Sequence, residues 1–312
     1  WKKSSWPTTR PIATESSKMK TIFRHAFARA RGTILGWGLG CALLAAYLIA
    51  FYDPMAAQKE ELVALLEAYP RELMAFFGGG NFANFFDPVV YISTYFFSYM
   101  GPIIAIFALV AGSSMIVSDE ENGTLDLLLA YPVSRTAFLA GRLLSFIATT
   151  AAILTIIWVG FVLALGTSTL AVSPLQMVLP MLSLFALLMF FGTLSLMLSL
   201  WLPARRLASL VSGFYLVAGY FLISLMNLDQ RLEPFAKLTP LDYFQGGHAI
   251  NGLTLNWFFG LLLWAVAFTL VAWWLFQRRD IRVGGEGSWR FAWFWRRHPP
   301  ILRSLSPGKN EP

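Results

Sequence analysis

Two stretches of this chain, residues 91–117 and 143–202, contain no charged side chain at all. A helix needs roughly 20 apolar residues to cross the hydrocarbon core of a bilayer, and both stretches exceed that. In lipid the backbone must satisfy its own hydrogen bonds, so the runs read as transmembrane helices. A membrane β-barrel would show short segments of alternating polarity instead. The pattern predicts six spans, at about 32–52, 91–117, 139–166, 175–202, 208–227 and 256–277. The expected fold class is an all-α membrane protein, a six-transmembrane-helix bundle with amphipathic interfacial helices.

A net charge of +7 raises the question of nucleic acid, and its distribution argues against that partner. Twenty of the 24 Lys and Arg lie in residues 1–31, 118–142, 205–206 and 278–309. This is the inside-positive asymmetry of a membrane protein. Together with an even number of spans, it places both termini in the cytoplasm. The outer connections, 53–90, 167–174 and 228–255, hold only Lys59, Arg71, Arg231 and Lys237 against nine acidic residues.

The flanking segments have their own patterns. Residues 1–18 lack periodicity and read as a disordered extension, with Met19 as the expected natural start. From 19 to 31 the chain is basic and amphipathic, with Ile22, Phe23, Ala26, Phe27 and Ala30 at helical spacing, an interfacial helix. Leu62, Leu65, Leu66, Tyr69 and Leu73 predict a second amphipathic helix outside, ended by Pro70. Gly78 to Asn81 reads as a turn, and Asp87-Pro88 as the cap of the second span. Residues 278–312 form a basic, aromatic cytoplasmic tail suited to anionic lipid.

Little in the spans can do chemistry. Cys41 is the lone cysteine, which excludes a disulfide or multi-cysteine metal site, and His25, His248 and His298 are too scattered to share an ion. His248 reads as a turn residue. There is no Gly-x-Ser-x-Gly and no His-Glu-x-x-His, so no catalytic, cofactor or metal site is expected. Gly112, Ser113, Ser114, Gly192, Thr193, Ser195, Ser212 and Gly213 read as helix-packing residues. Pro102 and Pro180 are expected to kink their helices.

The specialised element is the polar gap between spans two and three. Asp119, Glu120, Glu121 and Asp126 are followed by a leucine cluster and the exit Pro132-Val133-Ser134-Arg135. Gly123-Thr124 can start a short helix with Thr124 as its cap. Leu125, Leu128 and Leu129 fall on one face, and Pro132 stops it. Such an element fits a groove on a soluble domain. The residues alone fit an interfacial re-entry helix equally well.

At these residues, from Asp119 to Arg135, the chain resembles the ABC-2 type transporter permeases. In that family two glutamates, Gly-Thr-Leu and a leucine run lead into Pro-Val-Ser-Arg. Asp119 stands where Glu or Gly is commoner and Asn122 where Arg or Lys is. The similarity extends over about 19–283. It includes the basic lead-in, Tyr69-Pro70 to Phe77-Gly78, Arg205-Arg206, Thr239 to Phe244, and Arg278-Arg279-Asp280-Ile281.

The resemblance implies the membrane subunit of an ATP-driven exporter in the cytoplasmic membrane. It would pair with a second permease subunit, as homodimer or with a paralogue. ATP and Mg would sit on a separate ATP-binding subunit, since this chain has no Gly-x-x-x-x-Gly-Lys-Ser/Thr and no Leu-Ser-Gly-Gly-Gln. That subunit would dock on Asp119, Glu120, Glu121, Gly123, Thr124, Leu125, Leu128, Leu129, Pro132 and Arg135. Two alternatives stay open: a non-transporting ABC-2-like subunit of an envelope-maturation or signalling complex, and a stand-alone secondary transporter. The apolar spans suit a hydrophobic drug, peptide or lipid, and equally helices around a small-ion pathway.

Overall fold

The computed structural model describes residues 14–67, 70, 86–122, 133–226 and 229–278. Among them the regular structure is helical, with no strand, and six helices are long and apolar enough to cross a membrane. In chain order these are α2 (Arg31–Ala57), α4 (Pro88–Ser114), α6 (Arg135–Leu165), α7 (Val178–Trp201), α8 (Arg205–Met226) and α10 (Leu255–Arg278). Shorter helices lie between and beside them: α1 (Glu15–Arg29), α3 (Lys59–Glu67), α5 (Val117–Glu121) and α9 (Glu233–Ala236).

Helix α7 is the centre of the bundle. Of its most apolar 18-residue window 78% is buried, against 17% in α8 and in α10. It packs between α4 and α10. The contact with α4 is backbone to backbone: a β-carbon on Gly112 would stand 2.0 Å from the Gly192 oxygen. Ser195 Oγ donates to the Leu109 carbonyl across the same seam, at 2.8 Å. Small residues admit this approach in lipid, where van der Waals contact rather than water exclusion holds helices together. Ser209 and Ser113 hydroxyls meet at 2.8 Å and join α8 to α4. Gly213 differs from the expectation: nothing lies within 4 Å of a β-carbon there, because it faces away from the bundle.

Helix α2 lies along α6, its buried face formed by Ile34, Gly38, Cys41, Ala45, Ile49 and Tyr52 at helical spacing. Gly38 admits Ile156, and Gly160 admits Ala42. Against α4 it packs closely at the π-helical turn Ser93–Phe97 and at Tyr91 just before it.

Several boundaries depart from the expected ones. Helix α1 begins at Glu15, ahead of Met19, because Thr14 caps it: its hydroxyl accepts from the Ser17 amide at 3.4 Å. Helix α2 runs through Pro54 to Ala57. The second span ends at Ser114, and the chain turns at Met115 and Ile116 before α5. Pro180 lies in the first turn of α7, where no helical partner awaits its missing N–H, so it has no cause to kink the helix. Pro102 does lie inside α4. The Asp87-Pro88 cap forms as expected, Asp87 accepting from the Val89 and Val90 amides at 2.9 and 3.2 Å. Residues 1–13, the turn at 78–81 and the tail from 279 onward lie outside the described residues, as do the side chains of Leu65, Leu66, Tyr69 and Leu73.

Candidate functional site

The site is the end of the bundle that carries α1, α5 and the start of α6, called here the basal end. Its polar gap is described on both flanks, up to Asn122 and again from Val133. Gly123, Thr124, Leu125, Leu128, Leu129 and Pro132 lie outside the described residues.

On the incoming flank, α5 is one short helical stretch that turns its acids in different directions. Asp119 and Glu120 are 6% and 7% exposed, so they belong to the interior of the chain. Asp119 forms an ion pair with Arg142, one face of α6, and the guanidinium also lies over the Phe138 ring at 5.4 Å. Glu121 points outward and meets Arg205, the first residue of α8, at 3.3 Å. The two pairs differ in energy. Removing one partner of a mostly buried pair strands a charge and costs about 3–5 kcal/mol. The half-exposed Glu121–Arg205 pair is worth about 0–1 kcal/mol.

On the outgoing flank, Ser134 does two jobs. Its Oγ accepts from the Ala137 amide at 3.2 Å and so caps α6, and it donates to Glu15 Oε2 at 2.7 Å. That bond holds the Glu15 carboxyl below the usual carboxylate range and fixes the start of α1 against the start of α6. Farther along, Gly141 leaves room for Ile22 and for the Met19 carbonyl. Helix α1 is therefore docked on α6 by packing as well as by a hydrogen bond. Arg135 Nη1 donates to the Phe276 and Gln277 carbonyls at 2.8 and 3.1 Å. These are end carbonyls of α10, where a cation complements the helix dipole. Trp273 and Gln277 both donate to Thr136 Oγ1.

The loop thus leaves from, and returns to, a base fastened to α1, α6, α8 and α10. Asp119 and Glu120, expected from the sequence among the polar contacts to a partner, have side chains enclosed by this chain. Arg142 and Arg205, which pair with Asp119 and Glu121, are not marked as such by the sequence. Their one signal is position: Arg142 directly precedes the uncharged run that starts at 143, and Arg205 follows its end, since Pro203 and Ala204 are uncharged too.

A cleft of about 540 Å³ opens at the same end. Its floor is α6 (Arg142, Ser145, Thr149), one wall is α4 (Phe107, Val110, Ser114), and the other is α1 and α2 (Arg29, Trp37). At the opposite end a cavity of about 280 Å³ is lined by Ser93, Thr94, Tyr99, Tyr220, Gln245 and His248. His248 lies in the 3-10 turn Gly246–Asn251. Among the described residues no group of three His, Cys, Asp or Glu is placed to hold a metal.

Compared with known families, residues 21–281 match the family described as ABC-2 family transporter protein. The match takes in all six crossing helices and the polar gap. No curated protein matches the chain significantly.

Proposed function

The chain belongs to the ABC-2 family of transporter proteins, and from that premise we propose that it is the permease subunit of an ATP-driven exporter, driven through residues 118–135 by a separate ATP-binding subunit. It is a multi-pass membrane protein. In this reading it sits in the cytoplasmic membrane with the basal end inside, as the distribution of Lys and Arg supports. ATP and Mg bind the partner.

The observation that carries the reading is the fastening of the loop's base. A push on 124–131 reaches α6 through Asp119–Arg142 and α8 through Glu121–Arg205, while α4 and α5 are joined directly. Packed interfaces convert such a push into a shift between discrete arrangements rather than a gradual bend. Leu125, Leu128 and Leu129 supply the apolar contact with the ATP-binding subunit. Gly32, Gly36 and Gly40 recur every fourth residue on an exposed stripe of α2, with nothing within 4 Å of a β-carbon at any of them. That open stripe supports a second permease subunit packed there.

The test is co-purification with the ATP-binding protein encoded beside it, scored by ATP turnover and transport in lipid nanodiscs. Leu128→Arg is expected to leave insertion and folding intact and to abolish coupling. Undiminished transport by that variant would refute the assignment.

A further inference from the structure

The basal cleft has a polarity gradient that the coupling role does not use. Arg29, Arg142 and Arg205 line its basal part, together with Asp119. Asp119 engages Arg142 and Glu121 engages Arg205, and among the side chains that line the cleft itself three arginines stand with one carboxylate. Arg142 is largely buried, and among the described residues nothing accepts a hydrogen bond from its Nε. Deeper in, the floor changes to the hydroxyls of Ser145 and Thr149. From Arg142 to Thr149 is two turns of α6, about 10 Å.

The sides of the cleft are a different material. Ile106 and Val110 on α4 are 49% and 55% exposed, and both line the cleft. Trp37 of α2 faces them, its ring 6.2 Å from that of Phe107. Helix α2 approaches α4 closely at the π-helical turn Ser93–Phe97, and nearer the basal end Trp37 and Phe107 stand between them. The cleft lies between the basal halves of these two crossing helices, with α6 behind it. A volume of about 540 Å³ lies within the range of small-molecule sites. A site for a soluble anion would be polar throughout and open to water. This one offers cations at the headgroup level and apolar lips at the acyl level.

We infer that the basal cleft binds an anionic amphiphile, a phospholipid-like molecule with a phosphate-type headgroup, drawn sideways from the inner leaflet between α2 and α4. The headgroup meets Arg29, Arg142 and Arg205, and the chain lies against Trp37, Ile106 and Val110. The inference builds on the exporter reading by naming the class of molecule the exporter takes. Its test reads binding alone, so it can fail while coupling to an ATP-binding subunit stands, and the reverse.

The full-length protein is placed in nanodiscs with phosphatidylglycerol carrying a photoactivatable group near the top of one acyl chain. A phosphatidylcholine probe with the same chains is the comparison. Cross-links are mapped by mass spectrometry. The expected result is labelling of the Trp37 and Ile106 peptides by the anionic probe at several times the zwitterionic yield. Arg29 is exposed, so Arg29→Ala leaves the fold intact. It should lower the anionic yield about fivefold, the factor equivalent to ~1 kcal/mol per basic group at a membrane surface. Val110→Trp should close the lips and remove the labelling, with α-helical content unchanged. Equal yields from the two headgroups would overturn the proposal, as would displacement of the probe by inorganic phosphate at equal concentration, which would mark a site for the free anion.

Discussion

The two ends of the bundle are fastened by different chemistry. The basal end is held by ion pairs and by a cation on helix-end carbonyls: Asp119–Arg142, Glu121–Arg205 and Arg135 on α10. The far end is held mainly by hydrogen bonds from neutral groups. Tyr52 donates to the Phe86 carbonyl and Tyr91 to the Leu48 carbonyl. Gln245 binds both the amide and the carbonyl of Thr254. Asp53 joins the end of α2 to the loop after α6 by accepting from Ser168 and Thr169, and the ion pair there, Glu233–Lys237, is exposed and spans only four residues. Neutral bonds act over one contact. Charges reach farther in a low-dielectric setting, and they join helices distant in sequence. In the proposed coupling role the basal end passes a push from one loop into several helices, a task the second kind serves better.

Four measurements would break or sharpen that contrast. The largest effect is expected from Asp119→Ala, which strands Arg142 in the interior and should cost about 3–5 kcal/mol, read as a lowered unfolding midpoint in detergent. The double variant Asp119→Leu with Arg142→Met should recover most of it, since apolar replacement of a buried pair is close to neutral. If the single variant were harmless, the basal end would not depend on charge.

At the far end, Gln245→Leu removes both bonds to Thr254 from a residue that is 8% exposed. A loss of about 1–3 kcal/mol is expected, and it should be insensitive to salt. Glu121→Gln should change stability by no more than about 1 kcal/mol, and raising the salt concentration should erase even that difference. A salt-dependent Gln245 variant together with a salt-independent Glu121 variant would invert the comparison.

The smallest effect concerns pH. Because the Ser134 hydroxyl lowers the Glu15 pKa below its ordinary 4.5, the bond contributes fully above that value. It is lost as pH falls through the lower folded value. Acidification into that range should loosen α1 from α6, seen as faster proteolysis within α1, and Glu15→Gln should show the loosened behaviour already at neutral pH.

What could be read from sequence alone was whatever depends on near neighbours along the chain. Uncharged length set the six crossing helices, because lipid leaves the backbone no other partner. Asp87-Pro88 announced the start of α4, because capping is decided within three residues. The polar gap proposed to dock stands out by four acids, a run of leucines and a proline between two apolar runs. The same local signals misplaced the start of α1, where the Thr14 cap outweighed missing periodicity, and misjudged Pro180, whose effect depends on its turn within the helix.

Only the tertiary structure decided where the charges of the gap go. Asp119 meets Arg142, 23 residues on, and Arg135 meets the end of α10, 141 residues on. No periodicity links such positions. Which helices become neighbours is set by the fit of small residues, Gly112 against Gly192 and Gly160 against Ala42. Once those backbones touch, the rest follows by geometry: arginines from α1, α6 and α8 come together beside α2 and α4, and a cleft forms that no single segment of the chain encodes.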